Sequence, residues 1–142
     1  MHSIQVSREE RQQELLQKAV VLWIRNSDSE KASTLAHYIE RRLFSAGILS
    51  SIIDGKQLSK NNIDQMSLLI NQLLNTAIIV ITCNQGISLS EATQICTDSD
   101  LVGIYDENDP VSTSQAILFN STLAMEQIAD EIFKKLSPFI MV

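Results

Sequence analysis

The sequence has few of the residues on which phosphate loops, metal sites and nucleic-acid surfaces depend. Only 4 of its 142 residues are glycine and 2 are cysteine, while Asp and Glu outnumber Lys and Arg by 17 to 11. The net charge of -6 and the scattered cations argue against a nucleic-acid-binding surface. Cys83 and Cys96 show no metal-ligand spacing, so we expect two reduced, buried thiols.

Long apolar runs are also absent. The longest, at 19–24 and 77–81, are far shorter than the roughly 20 residues that cross a membrane, and the first residues do not resemble a signal peptide. We therefore expect a cytoplasmic protein without a membrane partner. The 44% of hydrophobic residues suffices for one domain over 1–142, with 1–18 as an amino-terminal helical extension.

Strand and helix patterns alternate along the chain. Short apolar runs typical of buried strands occupy 19–25, 48–53, 77–82, 101–105 and 116–119. Helix patterns occupy 8–18, 33–46, 63–76, 88–96 and 122–136. Ser7 and Glu10 form a capping box for the first helix, and Ser137-Pro138 should end the last. This alternation predicts an α/β fold, a three-layer parallel sheet of about four or five strands with helices on both faces.

The segment after the first strand stands where a phosphate-binding loop would lie. In the pattern G-x-x-x-x-G-K-[ST], glycines let backbone N–H groups wrap the phosphates and the lysine meets the outer phosphates. Here Asn26 and Lys31 replace the glycines, Ala32 replaces the lysine, and only Ser33 fits. The segment is predicted to be a vestigial loop, comprising Asn26, Ser29, Lys31, Ala32, Ser33 and Thr34.

The chemistry of this loop disfavours catalysis. Loss of one charge-stabilising donor such as the lysine costs roughly 10²–10³ in rate. A carboxylate about 4 Å from a phosphate, supplied by Asp28 or Glu30, costs about 4 kcal/mol at an effective dielectric of 20. Arg25 and Lys31 would offset part of that repulsion. Weak nucleotide or anion binding at the helix amino end stays open as an alternative.

Several stretches, in order along nearly the whole chain, resemble the adenylylsulfate kinases (APS kinases), which phosphorylate adenosine 5′-phosphosulfate (APS) at its 3′-hydroxyl with ATP. The similar segments are His2 with Val6–Arg11, Val21–Ile24 (V-[LI]-W-[FL]), Ser33–Gly47 (S-T-[LI]-A…L-E-x-x-L…G), Ile53–Gly55, Asn62–Ile63 and Gly103–Leu118. The resemblance implies a P-loop-kinase-like fold.

The departures from the family pattern fall on its functional residues. The resemblance makes Asp54 the acid near magnesium and the transferred phosphate, but the second acid of the D-G-D motif is Lys56. The N-I-R-R arginines, which help to hold APS in the family, are Asp64 and Gln65. Only residues 97–100 stand where the family carries a fourth strand and a basic lid, so we expect both to be deleted. Asp54 is therefore a vestigial catalytic residue.

The sequence thus predicts a non-catalytic APS-kinase-like domain, a regulatory or protein-interaction module linked to sulfate activation or sulfotransfer. No cofactor is expected, and the acidic turn at 106–109 fits no calcium loop, so no metal is expected either. The alternative is a weakly active kinase that uses Mg-ATP to convert APS to its 3′-phosphate, or a nucleotide or APS binder. The partner would be another protein or a second copy, since the resemblance allows a homodimer, and a sulfonucleotide ligand stays open.

Overall fold

The computed structural model describes residues 5–25, 29–54, 63–83, 92, 94–111 and 113–142. They form one parallel five-stranded sheet in the order β2-β3-β1-β4-β5. The strands are β1 (Val21–Ile24), β2 (Ser50–Asp54), β3 (Ile79–Cys83), β4 (Leu101–Asp106) and β5 (Ala116–Phe119), and the helices are α1 (Arg8–Leu15), α2 (Ser29–Ser45), α3 (Ile63–Asn75) and α4 (Met125–Ile140). The predicted α/β class with a parallel sheet is confirmed.

β1 is the central strand and is buried on both faces. Each of its four residues is at most 2% exposed, and Trp23 is paired with Thr82 of β3 on one side and Gly103 of β4 on the other. A strand with neighbours on both edges and helices over both faces has no polar face, which is why its sequence shows no alternation.

A hydrophobic core lies on each face of the sheet. α2 and α4 cover one face, with Leu35, Ile39, Ile132 and Leu136 among the buried residues. α3, with Ala92, Ile95 and Cys96, covers the other, where Ile70, Leu74 and Ile95 pack in one cluster with Trp23 and Val80. α2 and α4 are also joined through Arg42, which pairs with Asp130 at 3.2 Å and lies 4.0 Å from the ring centre of Phe133.

The first helix begins as predicted and ends earlier than predicted. The Ser7 hydroxyl accepts from Glu10 N, and Ser7 N donates to Glu10 Oε1, so the capping box is confirmed. α1 ends at Leu15 instead of Lys18, because Leu16 adopts a left-handed conformation with φ of 58°. That turn directs Gln17, a buried polar residue that sequence analysis missed, into the protein.

The Gln17 side chain joins two helix-to-strand connections. Its Nε2 donates to Leu49 O at 2.9 Å and to Ala77 O at 2.7 Å, and its Oε1 accepts from Leu49 N at 2.9 Å. Leu49 precedes β2 and Ala77 precedes β3, so one amide fixes the amino ends of both strands. Gln17 also forms an antiparallel bridge with Met141, beyond α4.

The last helix differs from the prediction at both ends. It begins at Met125 instead of Thr122, because the Asn120 side chain accepts from both the backbone and the hydroxyl of Thr122 and holds a turn there. It continues through Pro138 to Ile140. Proline removes one helical hydrogen bond, but burial of Ile140 and the bond from Lys18 N to Ile140 O at 2.7 Å favour the longer helix.

Part of the predicted fourth helix lies outside the described residues. Residues 92 and 94–95 are helical, whereas 88–91 and 93 are not among those described. A 3₁₀ turn, Asp98–Asp100, leads directly into β4. None of the helices in the described part of the chain has the length and apolar character to cross a bilayer.

Replacing Gln17 with alanine should destabilise the fold by about 2–3 kcal/mol, because the buried Ala77 carbonyl and Leu49 N lose their bonds to the amide, whereas Leu49 O still accepts from Ile79 N. Urea unfolding would measure the loss. Gln13→Ala is the matched control, since Gln13 is exposed on α1, and it should change the free energy of unfolding by no more than about 0.5 kcal/mol. Equal effects of the two substitutions would contradict the structural role of Gln17.

Cys96 should lower the free energy of unfolding as the pH rises into the alkaline range. Burial, with smaller contributions from Asp100 and Asp98, raises the pKa of the Cys96 thiol from 9.0 to about 12. The folded state therefore retains a proton that the unfolded state releases, so this contribution is complete below pH 9 and is lost as the pH rises toward 12.

The free energy of unfolding, measured for wild type and Cys96→Ala, isolates this contribution. The difference between the two proteins should be constant up to about pH 8 and should fall as the pH rises above 9. A difference that stays constant through pH 11 would show that the thiol ionises freely in the folded protein.

Candidate functional site: the carboxyl edge of the sheet

The candidate site lies where the parallel strands end. Ile24 of β1 is in register with Cys83 of β3 and Ile104 of β4, and Cys83 is in register with Asp54 of β2. We call this end of the sheet the carboxyl edge. In open α/β sheets ligands bind at this edge, and α2 begins here, since it starts at Ser29 soon after β1 ends at Ile24.

The vestigial loop is largely helical. α2 begins at Ser29, so the predicted start at Ser33 is wrong by four residues. Ser29, Lys31, Ala32, Ser33 and Thr34 all belong to the first turns of α2, while Asn26 lies outside the described residues. The segment between Arg25 and Thr34 contains no glycine, the residue that most readily adopts the left-handed backbone of a phosphate loop.

The helix turns the residue at the lysine position inward. Ala32 is 2% exposed and packs in the core with Leu35 and Ala36. Lys31 and Thr34 are exposed, and Ser33 is half-buried. In the phosphate-loop pattern, the lysine that contacts the phosphates stands at residue 32 of this chain. Lys31, the cation in the first turns of α2, points about 100° away from the direction of residue 32 around the helix axis.

Asp54 is correctly predicted to lie at the end of a strand. It is the last residue of β2 and is in register with Cys83. Two strand spacings, about 10 Å, separate β2 from β1 across β3. The structure therefore puts the Asp54 backbone at the carboxyl edge, on the far side of β3 from the start of α2.

The space beside the middle of β4, one residue before this edge, is filled by the protein itself. The Tyr105 ring and the Thr113 hydroxyl both lie within 3 Å of the position that a Cβ on residue 103 would take. Glycine is therefore required at position 103, and the buried Tyr105 side chain lies against its backbone. Gly103, the first residue of the segment 103–118 that resembles the family, thus has a packing role in this chain.

The charges of the carboxyl edge are unfavourable for a phosphate. Among the described residues here, Arg25 and Lys31 are outnumbered by acids, namely Glu30, Asp106, Glu107 and Asp109. Hydrogen bonds from Ser121 and Asn108 hold the pKa of Asp106 below its ordinary value, so it is ionised at neutral pH. Its Oδ1 accepts from Asn108 N at 2.9 Å, which occupies the carboxylate within its own turn.

These residues do not fit the phosphates of Mg-ATP. The lysine position is buried, residues 29–33 of the expected loop are helical, and the acids of the carboxyl edge oppose a second anion. Within the ranges that the structure describes, no three His, Cys, Asp or Glu side chains are grouped to hold a metal ion.

Sequence reasoning missed the early start of α2 although a signal was present. Ser27-Asp28-Ser29-Glu30 has the S-x-x-E pattern of a capping box, which predicts a helix start a few residues before Ser33. The inward direction of Ala32 follows from the same shift, because it then shares the helix face of Leu35, Ala36 and Ile39.

Part of the chain is similar in sequence to an adenylyl-sulfate kinase. No family model matches the chain. Over 57 residues, 40% of this chain, the sequence is 39% identical to a probable adenylyl-sulfate kinase of Halalkalibacterium halodurans. The match spans 28% of that protein, so the chain corresponds to less than a third of the curated relative.

Solved APS kinases share the fold. The hexameric APS kinase from Thiobacillus denitrificans superposes with a TM-score of 0.67 and 16% identity, over 92% of this chain and 31% of that chain. The Mycobacterium tuberculosis APS kinase in complex with AMPPNP and APS superposes with a TM-score of 0.65 and 12% identity, over 84% of this chain and 98% of that chain. At this level of identity the superpositions establish the fold, and together with the sequence match they show that the chain is related to the adenylyl-sulfate kinase family.

Proposed function

We propose that this chain is a non-catalytic APS-kinase-like domain of the cytoplasm that acts through protein contacts, as a regulatory or interaction module linked to sulfate activation or sulfotransfer. No cofactor is part of this proposal. The observation that carries it is Ala32, which stands at the position of the phosphate-binding lysine and is buried in the core beneath α2.

Two further features support the proposal. The first turn of α2 replaces the open backbone that would wrap phosphates. The acidic side chains of the carboxyl edge would repel the several negative charges of ATP and APS, and at an effective dielectric of 20 each close pair costs about 4 kcal/mol. A domain that keeps this fold but lacks the positively charged side chains that would bind the phosphates is better suited to binding other proteins.

A second candidate is a weakly active kinase or a sulfonucleotide binder. Its support is that α2 still presents its amino end at the carboxyl edge, close to Arg25, and helix amino ends favour anions. A relative of the same fold is known in complex with AMPPNP and APS. In this candidate Mg-ATP would be the cofactor, and Lys31 and Asp54 would have to take the roles of lysine and acid.

A coupled assay of ATP-dependent APS phosphorylation separates the candidates. The proposal expects no turnover above the rate without protein and no heat of binding with Mg-ATP, APS or its 3′-phosphate in calorimetry. Turnover that disappears in Asp54→Ala would establish the kinase. A calorimetric signal with a sulfonucleotide but no turnover would establish the binder.

Restoring the missing lysine tests the structural basis of the proposal. Ala32→Lys should destabilise the fold by about 3–5 kcal/mol, because it places an unpaired charge in the core. It should create no kinase activity. Denaturant unfolding and the coupled assay, carried out on the same preparation, measure both effects.

Thr34→Lys is the matched control, since Thr34 is exposed two residues further along the same helix. It should alter the free energy of unfolding by no more than about 0.5 kcal/mol. If Ala32→Lys is as stable as Thr34→Lys and binds Mg-ATP, position 32 faces a ligand site and the proposal is wrong.

A further inference from the structure

The guanidinium group of Arg8 is held by the amino ends of two strands. Nη1 donates to Asp100 Oδ2 at 3.2 Å, and Nη2 donates to Asp100 Oδ1 at 2.8 Å and to Ala19 O at 2.9 Å. Asp100 immediately precedes β4, and Ala19 lies two residues before β1, so these acceptors belong to the sheet. The Thr97 hydroxyl also donates to Asp100 Oδ2, at 3.1 Å. We call the Asp100 carboxylate and Ala19 O the guanidinium cradle.

The helix that supplies Arg8 is weakly attached. Of the eight residues of α1, Arg8 and Gln12 are half-buried and the other six are exposed. Among the described residues, the side-chain hydrogen bonds from α1 to the rest of the domain are those of Arg8 and of Gln12, whose Oε1 accepts from Ala19 N at 3.0 Å. A helix of this length is unstable by itself, and a segment with few buried contacts opens at a lower free energy than the core. α1 can therefore detach while the sheet stays folded.

The hinge for this detachment is Leu16. Its φ of 58° is a left-handed conformation that a leucine rarely takes. The next residue, Gln17, is buried, and its amide holds Leu49 and Ala77. A change of backbone conformation at Leu16 would release α1, and Gln17 would keep the amino ends of β2 and β3 in place.

A cavity gives a second side chain access to the cradle. It has a volume of about 350 Å³ and lies between α1, the start of β1 and the end of α4. Arg8 and Asp100 both line it, and their side chains are 23% and 17% exposed. Glu9 and Lys18, which also line it, carry opposite charges. The charges on the wall therefore cancel, and an incoming cation meets no net positive charge.

We propose that the guanidinium cradle is a binding site for an arginine of a partner protein, and that Arg8 blocks this site by occupying it from the same chain. The partner's guanidinium would replace that of Arg8 and donate to both Asp100 oxygens and to Ala19 O. A lysine ammonium cannot reproduce this planar, bidentate contact.

The charge of the chain favours the same kind of partner. Its net charge of -6 would attract a basic segment around the incoming arginine and would speed association. The inference rests on the proposed function, since it takes the partner to be a protein, and it gives that function a site and a ligand group.

Chemical rescue of Arg8→Ala tests the cradle. Removing the guanidinium should make the amides of α1 exchange with D₂O about 10- to 100-fold faster in the full chain, as expected for the loss of hydrogen bonds to a charged group. Millimolar methylguanidinium should restore most of the wild-type protection, whereas methylammonium at the same concentration should not. Adding Asp100→Asn to the variant should abolish the rescue.

Arg11→Ala is the matched control, since Arg11 is exposed on the same helix. It should change the exchange rates by no more than about twofold. Circular dichroism verifies that each variant is folded. Rescue by methylammonium equal to that by methylguanidinium, rescue that survives Asp100→Asn, or an absence of rescue would each overturn the proposal.

Displacement of Arg8 is measured with a blocked pentapeptide that has one central arginine between serine and glycine residues, and with its lysine analogue. The arginine peptide should bind Arg8→Ala at least about 10-fold more tightly than wild type, because the cradle is then always open. It should also accelerate exchange of the α1 amides in wild type as its concentration rises, and the lysine peptide should not.

Equal binding of the arginine peptide to wild type and Arg8→Ala, or no binding to either protein, would contradict the blocking role of Arg8. Turnover in the APS phosphorylation assay would contradict the proposed function and would leave the rescue and peptide results unchanged, so the two failures are distinguishable.

Discussion

The structure depends on the complete burial of β1. The strand is paired with β3 and β4 on its two edges and covered by helices on both faces, so each of its residues is at most 2% exposed. Such a strand can present chemistry only at its ends, because its backbone groups are already paired and its side chains form the two cores. The arrangement puts the start of α2 at the carboxyl edge, where ligands bind in open α/β sheets.

The same packing explains why that edge differs from a phosphate site. A glycine-rich loop keeps its backbone out of the helix and leaves its N–H groups free. In this chain the helix starts at Ser29, so Ala32 joins Leu35, Ala36 and Ile39 in the core. The early start of the helix and the absence of a lysine at position 32 are consistent with each other, because a lysine that faces the core would destabilise the fold.

The two ends of the sheet have different characters. At the amino ends of the strands, Gln17 fixes the connections before β2 and β3, and Arg8 bonds Ala19 O at 2.9 Å and Asp100 at 2.8 Å. Exposed apolar side chains, among them Leu16, Leu49 and Met141, lie near this well-fixed end. At the carboxyl edge, acids predominate among the described residues.

Periodicity and composition alone determined the α/β class, the positions of all five strands to within about three residues, the capping box of α1 and the presence of Asp54 at a strand end. These features depend on local sequence, because buried strands and helix caps have short-range signatures. The tertiary structure decided the burial of Gln17, the passage of α4 through Pro138 and the inward direction of Ala32. In the first two cases a distant contact outweighed a local preference: partners 32 and 60 residues away hold Gln17, and burial of Ile140 offsets the proline. Short sequence windows carry no information about contacts between distant residues. The sequence therefore shows which loop residues are replaced, and the folded chain shows which way their side chains face.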